Sequence, residues 1–228
     1  MKVSGKTLAH LAKAHAALGV ADMMFEAKGG KISMNLYQSG GHSLCLLDYA
    51  IDGAEEMAVV GDGKRIRDAL LLFAKDEEVE MRKVGSWLHL QAGGRKKKLA
   101  TDPVASDMPN PKMPSNVQWA ASATVPVDFM RRCCEQSTDG SISQLSIGDG
   151  RLKWFCEGDL GSFEDTIECA IEGEATSTFS ADSLATMLSI IQGDCLLRIC
   201  DGGPLMMEAE VPSGKAAMAL APFLRGDL

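Results

Sequence analysis

Seven cysteines and four histidines are the residues of this 228-residue chain best suited to covalent or metal chemistry. The cysteines are Cys45, Cys133, Cys134, Cys156, Cys169, Cys195 and Cys200. None forms a Cys-x-x-Cys pair or a Cys/His cluster at metal-ligand spacing. Five lie in apolar runs such as SLCLLD and DCLLRIC, where reduced, buried thiols acting as small apolar residues are the simplest expectation. The adjacent Cys133 and Cys134 follow Arg131 and Arg132, whose charge would favour a thiolate, so a thiol-dependent enzyme is the catalytic reading to weigh. Such an enzyme needs a positioned base, and the histidines are scattered. His10 and His15 share one helix-like stretch, His42 sits in a loop, and His89 lies in the strand-like WLHLQ. Gly-x-Ser-x-Gly, His-Glu-x-x-His and dinucleotide fingerprints are absent from the sequence. The residues therefore predict no catalytic centre, no metal and no cofactor.

Phosphate binding is the other chemistry the side chains could do. A net charge of −8 speaks against a polyanionic partner until its distribution is considered. Four helix-like stretches, 5–18, 62–75, 126–137 and 181–192, hold eight basic and five acidic residues, leaving 15 basic against 26 acidic elsewhere. Basic helices on an acidic body can still meet phosphates, because the local field decides. Lys6 and Lys13 are seven residues apart, about two helical turns, and project from one side. Leu8, Leu11, His15 and Leu18 form a second, apolar stripe, and His10 falls with the lysines.

The elements that would carry these residues occur twice. The first two helical stretches start 57 residues apart and the last two 55, and the offsets between halves are 121 and 119. Such self-similarity marks a duplicated structural unit. Between the helices the chain alternates short apolar or β-branched runs with turns at Gly29–Gly30 and Gly40–Gly41. Each half thus reads as a strand, a helix, several strands, a second helix and several strands. Residues 103–118 hold four of the eight prolines and predict an extended connector. The expected organisation is residues 1–102, the connector 103–118, and residues 119–228. With 46% hydrophobic residues both halves can bury cores. No apolar run approaches a membrane span, and the amphipathic N-terminal stretch lacks a secretory apolar segment, so an intracellular protein is expected.

Three stretches carry a family likeness. Residues 179–224 run from a strand into a helix, FSADSLATMLSIIQ, then LLRICDGGPLMMEAEV, and close in Leu220–Ala221–Pro222. FCEGDLGSF, residues 155–163, is similar to a Gly-x-x-Gly turn between strands, and residues 25–48 resemble a strand–loop–strand bearing a histidine. Together with the duplication, these resemble the proliferating cell nuclear antigen (PCNA) family, the DNA sliding clamps of archaea and eukaryotes. The chain is shorter than typical members around 95–118, which fits a divergent archaeal or virus-encoded clamp. The likeness implies an α+β fold of duplicated clamp domains, with helices lining the inside and antiparallel sheets outside a pseudo-sixfold ring. It also implies a homotrimer that encircles double-stranded DNA without reading sequence. The ring would be opened by an ATP-driven clamp loader and would tether DNA polymerase and other enzymes through their hydrophobic peptides.

On that resemblance, Lys6, Lys13, Lys64, Arg65, Arg67, Arg131 and Arg132 would face DNA. The peptide pocket would comprise Tyr37, His42, Leu44, Leu46, Met108, Met113, Pro204, Ala221 and Pro222, with methionine suiting a pocket that accepts several ligands. The basic RKKKLATD, with Arg95, Lys96, Lys97 and Lys98, would meet ECAIEGEATS, with Glu172 and Glu174, across a subunit boundary. Edge protection by lysine is the alternative reading of the basic strand. A subunit of a hetero-oligomeric or checkpoint-type clamp is the alternative within the family.

Overall fold

In the computed structural model, residues 1–37, 43–53, 55–103, 113–114, 116–137, 141–158 and 161–223 are described. The chain divides into two compact units. The first comprises Met1–Ser39, Leu46–Pro111 and Pro212–Lys215, and the second Gly40–Cys45, Lys112–Val211 and Ala216–Leu228.

The first unit runs β1 (Lys2–Ser4), α1 (Gly5–Leu18), β2 (Asp22–Lys28), β3 (Lys31–Tyr37), β4 (Ser43–Ala50), β5 (Met57–Asp62), α2 (Gly63–Leu70), β6 (Glu78–Val84), β7 (Trp87–Ala92) and β8 (Arg95–Ala100). One antiparallel sheet has the order β1-β6-β7-β8, and a second set runs β4-β3-β2-β5. Strand alternation sends Met23, Phe25, Ile32, Met34, Val79, Met81, Leu88 and Leu90 inward against Leu8, Leu11, Ile66 and Leu70 of the helices. The apolar stripe of α1 is thus core: Leu8, Leu11, His15 and Leu18 are all buried. His10 departs from the expectation. It is buried, and its Nδ1 shares a 2.5 Å hydrogen bond with the Tyr49 hydroxyl.

The helices end where local chemistry ends them. The Ser4 hydroxyl accepts from the Thr7 amide, and Gly19 closes α1 in the left-handed conformation, φ 63°. The Asp62 carboxylate accepts from the Arg65 amide at the start of α2. α2 stops at Leu70, five residues short of the expected Lys75. The reason lies in α1, whose first two amides lack intrahelical partners. Gly5 N–H donates to the Glu77 carbonyl and Lys6 N–H to the Lys75 carbonyl, so the segment after Leu70 must turn to present them. A Cβ on Gly5 would stand 1.9 Å from the Ala74 carbonyl oxygen, so only glycine fits this contact.

The second unit repeats the order with one added strand: β9 (Ala121–Pro126), α3 (Val127–Glu135), β10 (Ile142–Gly148), β11 (Arg151–Gly158), β12 (Gly161–Glu168), β13 (Ile171–Gly173), β14 (Ala175–Ser180), α4 (Ala181–Leu188), β15 (Asp194–Ile199), β16 (Leu205–Val211) and β17 (Gly214–Leu220). The sheets run β12-β11-β10-β14 and β13-β9-β15-β16-β17. The turn between β10 and β11 is Asp149–Gly150, both at positive φ, as a two-residue hairpin requires. Trp154 and Phe179 fill the core beneath α3 and α4.

The acidic stretch expected at the subunit boundary has strand partners within the chain. Glu172 belongs to β13, which is already paired with β9, and residues 175–180, just after Glu174, pair with β10. Each of these two strands is thus paired on one side within the chain. The outer strands of the two four-stranded sheets are β1 and β8 in one and β12 and β14 in the other. β14 also receives Gly202 N–H and Phe223 N–H on its Thr176 and Thr178 carbonyls, and Lys2 N–H of β1 donates to the Asp52 carbonyl.

Candidate functional site

The helices pack in pairs, α1 with α2 and α3 with α4. Their outward faces carry most of the basic residues singled out above. Lys6 and Lys13 on α1, and Lys64 and Arg65 on α2, are exposed, and among the described residues none of them forms an ion pair. Cations without carboxylate partners are free to attract an external anion. Arg67 is more enclosed, its side chain 29% exposed and its Nε 4.0 Å from the Asp68 carboxylate. α4 has neither lysine nor arginine, so the charge is uneven.

The two arginines of α3 part company. Arg132 is exposed, lies 5.5 Å from the Phe129 ring, and sits 3.4 Å from the Asp165 carboxylate of β12. Arg131 is turned to its neighbour helix. Its Nε and Nη2 donate to the Leu188 carbonyl at 3.1 and 2.9 Å, and Nη2 also donates to the Ile191 carbonyl. Nη1 meets Asp128 at 3.1 Å. A guanidinium at the end of α4 satisfies carbonyls that have no intrahelical donor and complements the negative end of the helix dipole. Arg131 is thus a cap for α4. The missing cation of α4 comes from α3, a relation that one-dimensional spacing does not reveal. Arg95 does the same for the first unit, donating to the Leu72 carbonyl beyond α2 and to Glu77.

His15 faces the same helix pair from inside. Its Nε2 contacts the Asp22 carbonyl at 3.3 Å, and its buried Nδ1 has no partner among the described residues. Burial holds its pKa below the ordinary value, helped by the nearby Arg67. The ring packs on Gly63, where a Cβ would come within 2.3 Å of it.

The adjacent Cys133 and Cys134 thiols are poor nucleophiles. Burial pushes Cys133 and Cys134 up to about 12, and neighbouring Asp165 adds to the rise at Cys133 against the weaker pull of Arg132. Cys45 and Cys195 are also raised to about 12 by burial. Among the described residues no group of three histidine, cysteine or carboxylate side chains could hold a metal ion. Nor is any described helix long and apolar enough to cross a membrane.

Of the expected peptide pocket, His42 and Met108 lie outside the described residues. Tyr37 ends β3 with 44% of its surface exposed. Leu46 is half-buried, whereas Leu44 is buried and supports the strand. Met113, Pro204, Ala221 and Pro222 are half-buried, as suits apolar groups at a surface. Pro204 precedes β16 and its carbonyl accepts from Cys200 N–H, while Phe223 N–H donates to the Thr178 carbonyl and ties the run after β17 to β14.

Arg95, Lys96, Lys97 and Lys98 stand exposed along β8, the edge of its sheet. A second acidic edge strand, which residue reading missed, is β12, with Glu164, Asp165 and Glu168. Its sequence, GSFEDTIE, alternates polar and apolar residues like any strand, and only the sheet order shows it to be unpaired on one side.

No family model matches the sequence, and no curated protein matches it. Solved structures do. The chain superposes on PCNA of A. fulgidus, solved with the C-terminal region of FEN-1 bound, with a TM-score of 0.87 at 17% identity, over 99% of this chain and 98% of that one. PCNA of Thermococcus kodakaraensis matches with a TM-score of 0.81 at 18% identity, over 97% and 98% of the two chains. The proliferating cellular nuclear antigen of Entamoeba histolytica gives 0.80 at 15%, over 95% and 96%. The chain therefore has the clamp fold along its whole length.

Proposed function

We propose that this chain is a DNA sliding clamp. Three copies close a ring around duplex DNA, the helices face the phosphates, and partner enzymes are held by short hydrophobic peptides. The observation that carries this reading is the set of cations on α1 and α2, without ion pairs among the described residues, in a clamp fold whose remaining residues carry a net negative charge. Lys6, Lys13, Lys64 and Arg65, with Arg132 and Arg67 beside them, meet phosphate oxygens without reading bases. Arg131 contributes mainly by holding α4 in place. Tethering raises the local concentration of a bound polymerase or nuclease without any chemistry by the clamp. The raised thiol pKa values agree with a non-enzymatic role. The sequence has no Walker motif, so a separate ATP-driven loader opens the ring. The protein works where the DNA is, inside the cell.

Ring closure follows from the duplication. In the repeated order, β8 corresponds to β17 and β12 to β4. β8 of one copy pairs with β12 of the next, with lysines opposite carboxylates. The peptide site uses Tyr37, Leu46, Met113, Pro204, Ala221 and Pro222, completed by His42 and Met108, with an apolar plug supplying most of the affinity.

Light scattering across a dilution series tests the assembly, followed by carbodiimide coupling of adjacent amines and carboxylates. The expected result is a mass of about three chains and cross-links joining Lys96, Lys97 or Lys98 to Glu164, Asp165 or Glu168. A monomer at every concentration, with none of these cross-links, contradicts the proposal.

A further inference from the structure

The outer face of the β1-β6-β7-β8 sheet carries a second basic site, on the side away from the helices. Register places Arg82 opposite His89 and His89 opposite Lys98, so the three form one row across β6, β7 and β8. Strands lie about 4.8 Å apart, so the row spans about 10 Å. In the next row, Glu80 is opposite Gln91 and Gln91 opposite Lys96. Beyond the first row, Trp87 is 43% exposed, and the Lys98 ammonium lies 4.2 Å from its ring centroid. These side chains alternate with the buried Met81, Leu88, Leu90 and Leu99, which fixes them on the solvent side. A hollow of about 260 Å³ opens among Arg82, His89, Gln91, Lys96 and Lys98.

The charge of this face is unbalanced. Among the described residues Arg82, Lys96 and Lys98 form no ion pair, and Glu80 is the one carboxylate lining the hollow. On a chain with a net charge of −8, three cations without a carboxylate partner in their own copy, beside an exposed indole, are not needed for solubility. We propose that this face binds a single-stranded nucleic acid, with phosphates on Arg82, Lys96 and Lys98 and a base stacked on Trp87. A positive groove beside an aromatic platform is the combination that holds single strands without reading their sequence. An acidic peptide would use the cations but leave the indole idle, which is why nucleic acid is the better fit. Edge pairing of β8 engages its backbone and leaves these outward side chains above the sheet, so the site is separate from the duplex-facing helices.

The test is fluorescence anisotropy of a labelled oligothymidine on the full chain across a salt titration, with the mass of each variant measured in parallel. Three phosphate contacts predict a slope of log K against log salt of about −2, at about −0.7 per contact on a single strand. Arg82→Ala/Lys98→Ala should bring the slope to about −0.7, and Trp87→Ala should weaken binding at least about fivefold through lost stacking. Lys6→Ala/Lys64→Ala should weaken oligothymidine binding less than Arg82→Ala/Lys98→Ala does, and this separates the site from the proposed duplex surface. Four results would overturn the inference: no oligothymidine binding, equal loss in the helix variant, capture of a poly-glutamate peptide in place of the oligonucleotide, or a changed mass of Arg82→Ala/Lys98→Ala without oligonucleotide binding. The last would make the face an interface between copies.

Discussion

Replacing Arg131 with alanine separates a structural arginine from a DNA-facing one. The guanidinium donates to two carbonyls at the end of α4 and reaches Asp128 on its own helix. The Asp128 pair is nearly worthless, because that carboxylate is 89% exposed and exposed pairs contribute about 0–1 kcal/mol. The carbonyl contacts matter more, since hydrogen bonds to a charged group contribute about 1.5–3 kcal/mol each. Arg131 is itself 34% exposed, and water can replace part of what is lost. A total of about 2–3 kcal/mol is therefore the reasonable expectation. With a urea slope of about 1–3 kcal/mol per molar, the unfolding midpoint should fall by about 1 M. Arg131→Lys should recover part of the loss, because an ammonium can still reach one carbonyl. Under conditions where the variant stays folded, its affinity for duplex DNA should fall less than that of Lys64→Ala. An unchanged midpoint together with a loss of duplex affinity matching Lys64→Ala would refute this assignment.

Three other expectations follow from local geometry. Gly5→Ala should destabilise the chain by more than about 2 kcal/mol, since the new methyl meets the Ala74 carbonyl at 1.9 Å and breaks the contact between α1 and the turn after α2; a thermal midpoint equal to that of the parent would contradict it. His15, held below its ordinary 6.5 by burial, stays neutral in the folded chain while the unfolded chain takes up a proton, so stability should decline as pH falls below about 6.5. His15→Gln should flatten that acid limb in denaturation curves, and an unchanged slope would show that another group is responsible. Cys133 and Cys134, raised to about 12, should alkylate with iodoacetamide much more slowly than a free thiol at neutral pH; mass spectrometry showing rapid labelling of the folded protein would revive the thiol-enzyme reading.

What the sequence made legible was whatever depends on neighbours along the chain. α1 matches its expected span because Ser4 caps it and Gly19 stops it, and both signals are local. The hairpin at Asp149–Gly150 and the repeated element order are likewise local or periodic. Three features were not legible, because each depends on something distant. α2 ends early since its last residues serve the amides of α1. His10 left the lysine stripe because Tyr49, 39 residues away, offers it a hydroxyl. The place of β12 at the end of its sheet depends on its pairing with β11 and on the sheet order. Of the candidate DNA-facing residues, Lys6, Lys13, Lys64, Arg65 and Arg132 lie exposed, while Arg131 turns to a helix 57 residues on. Sequence spacing identifies a helix face but not the helix end lying beside it.

The most direct measurement of the central claim is topological. Chains first dissociated by dilution, so that rings assemble around the DNA without a loader, would be mixed with a nicked circular plasmid, closed by carbodiimide coupling and washed in high salt, which removes proteins held by phosphate contacts alone. A ring around the duplex should stay with the circular plasmid and be released once the plasmid is cut to a linear form. Loss from the circle during the wash, despite covalent trimers in the same sample, would contradict encirclement.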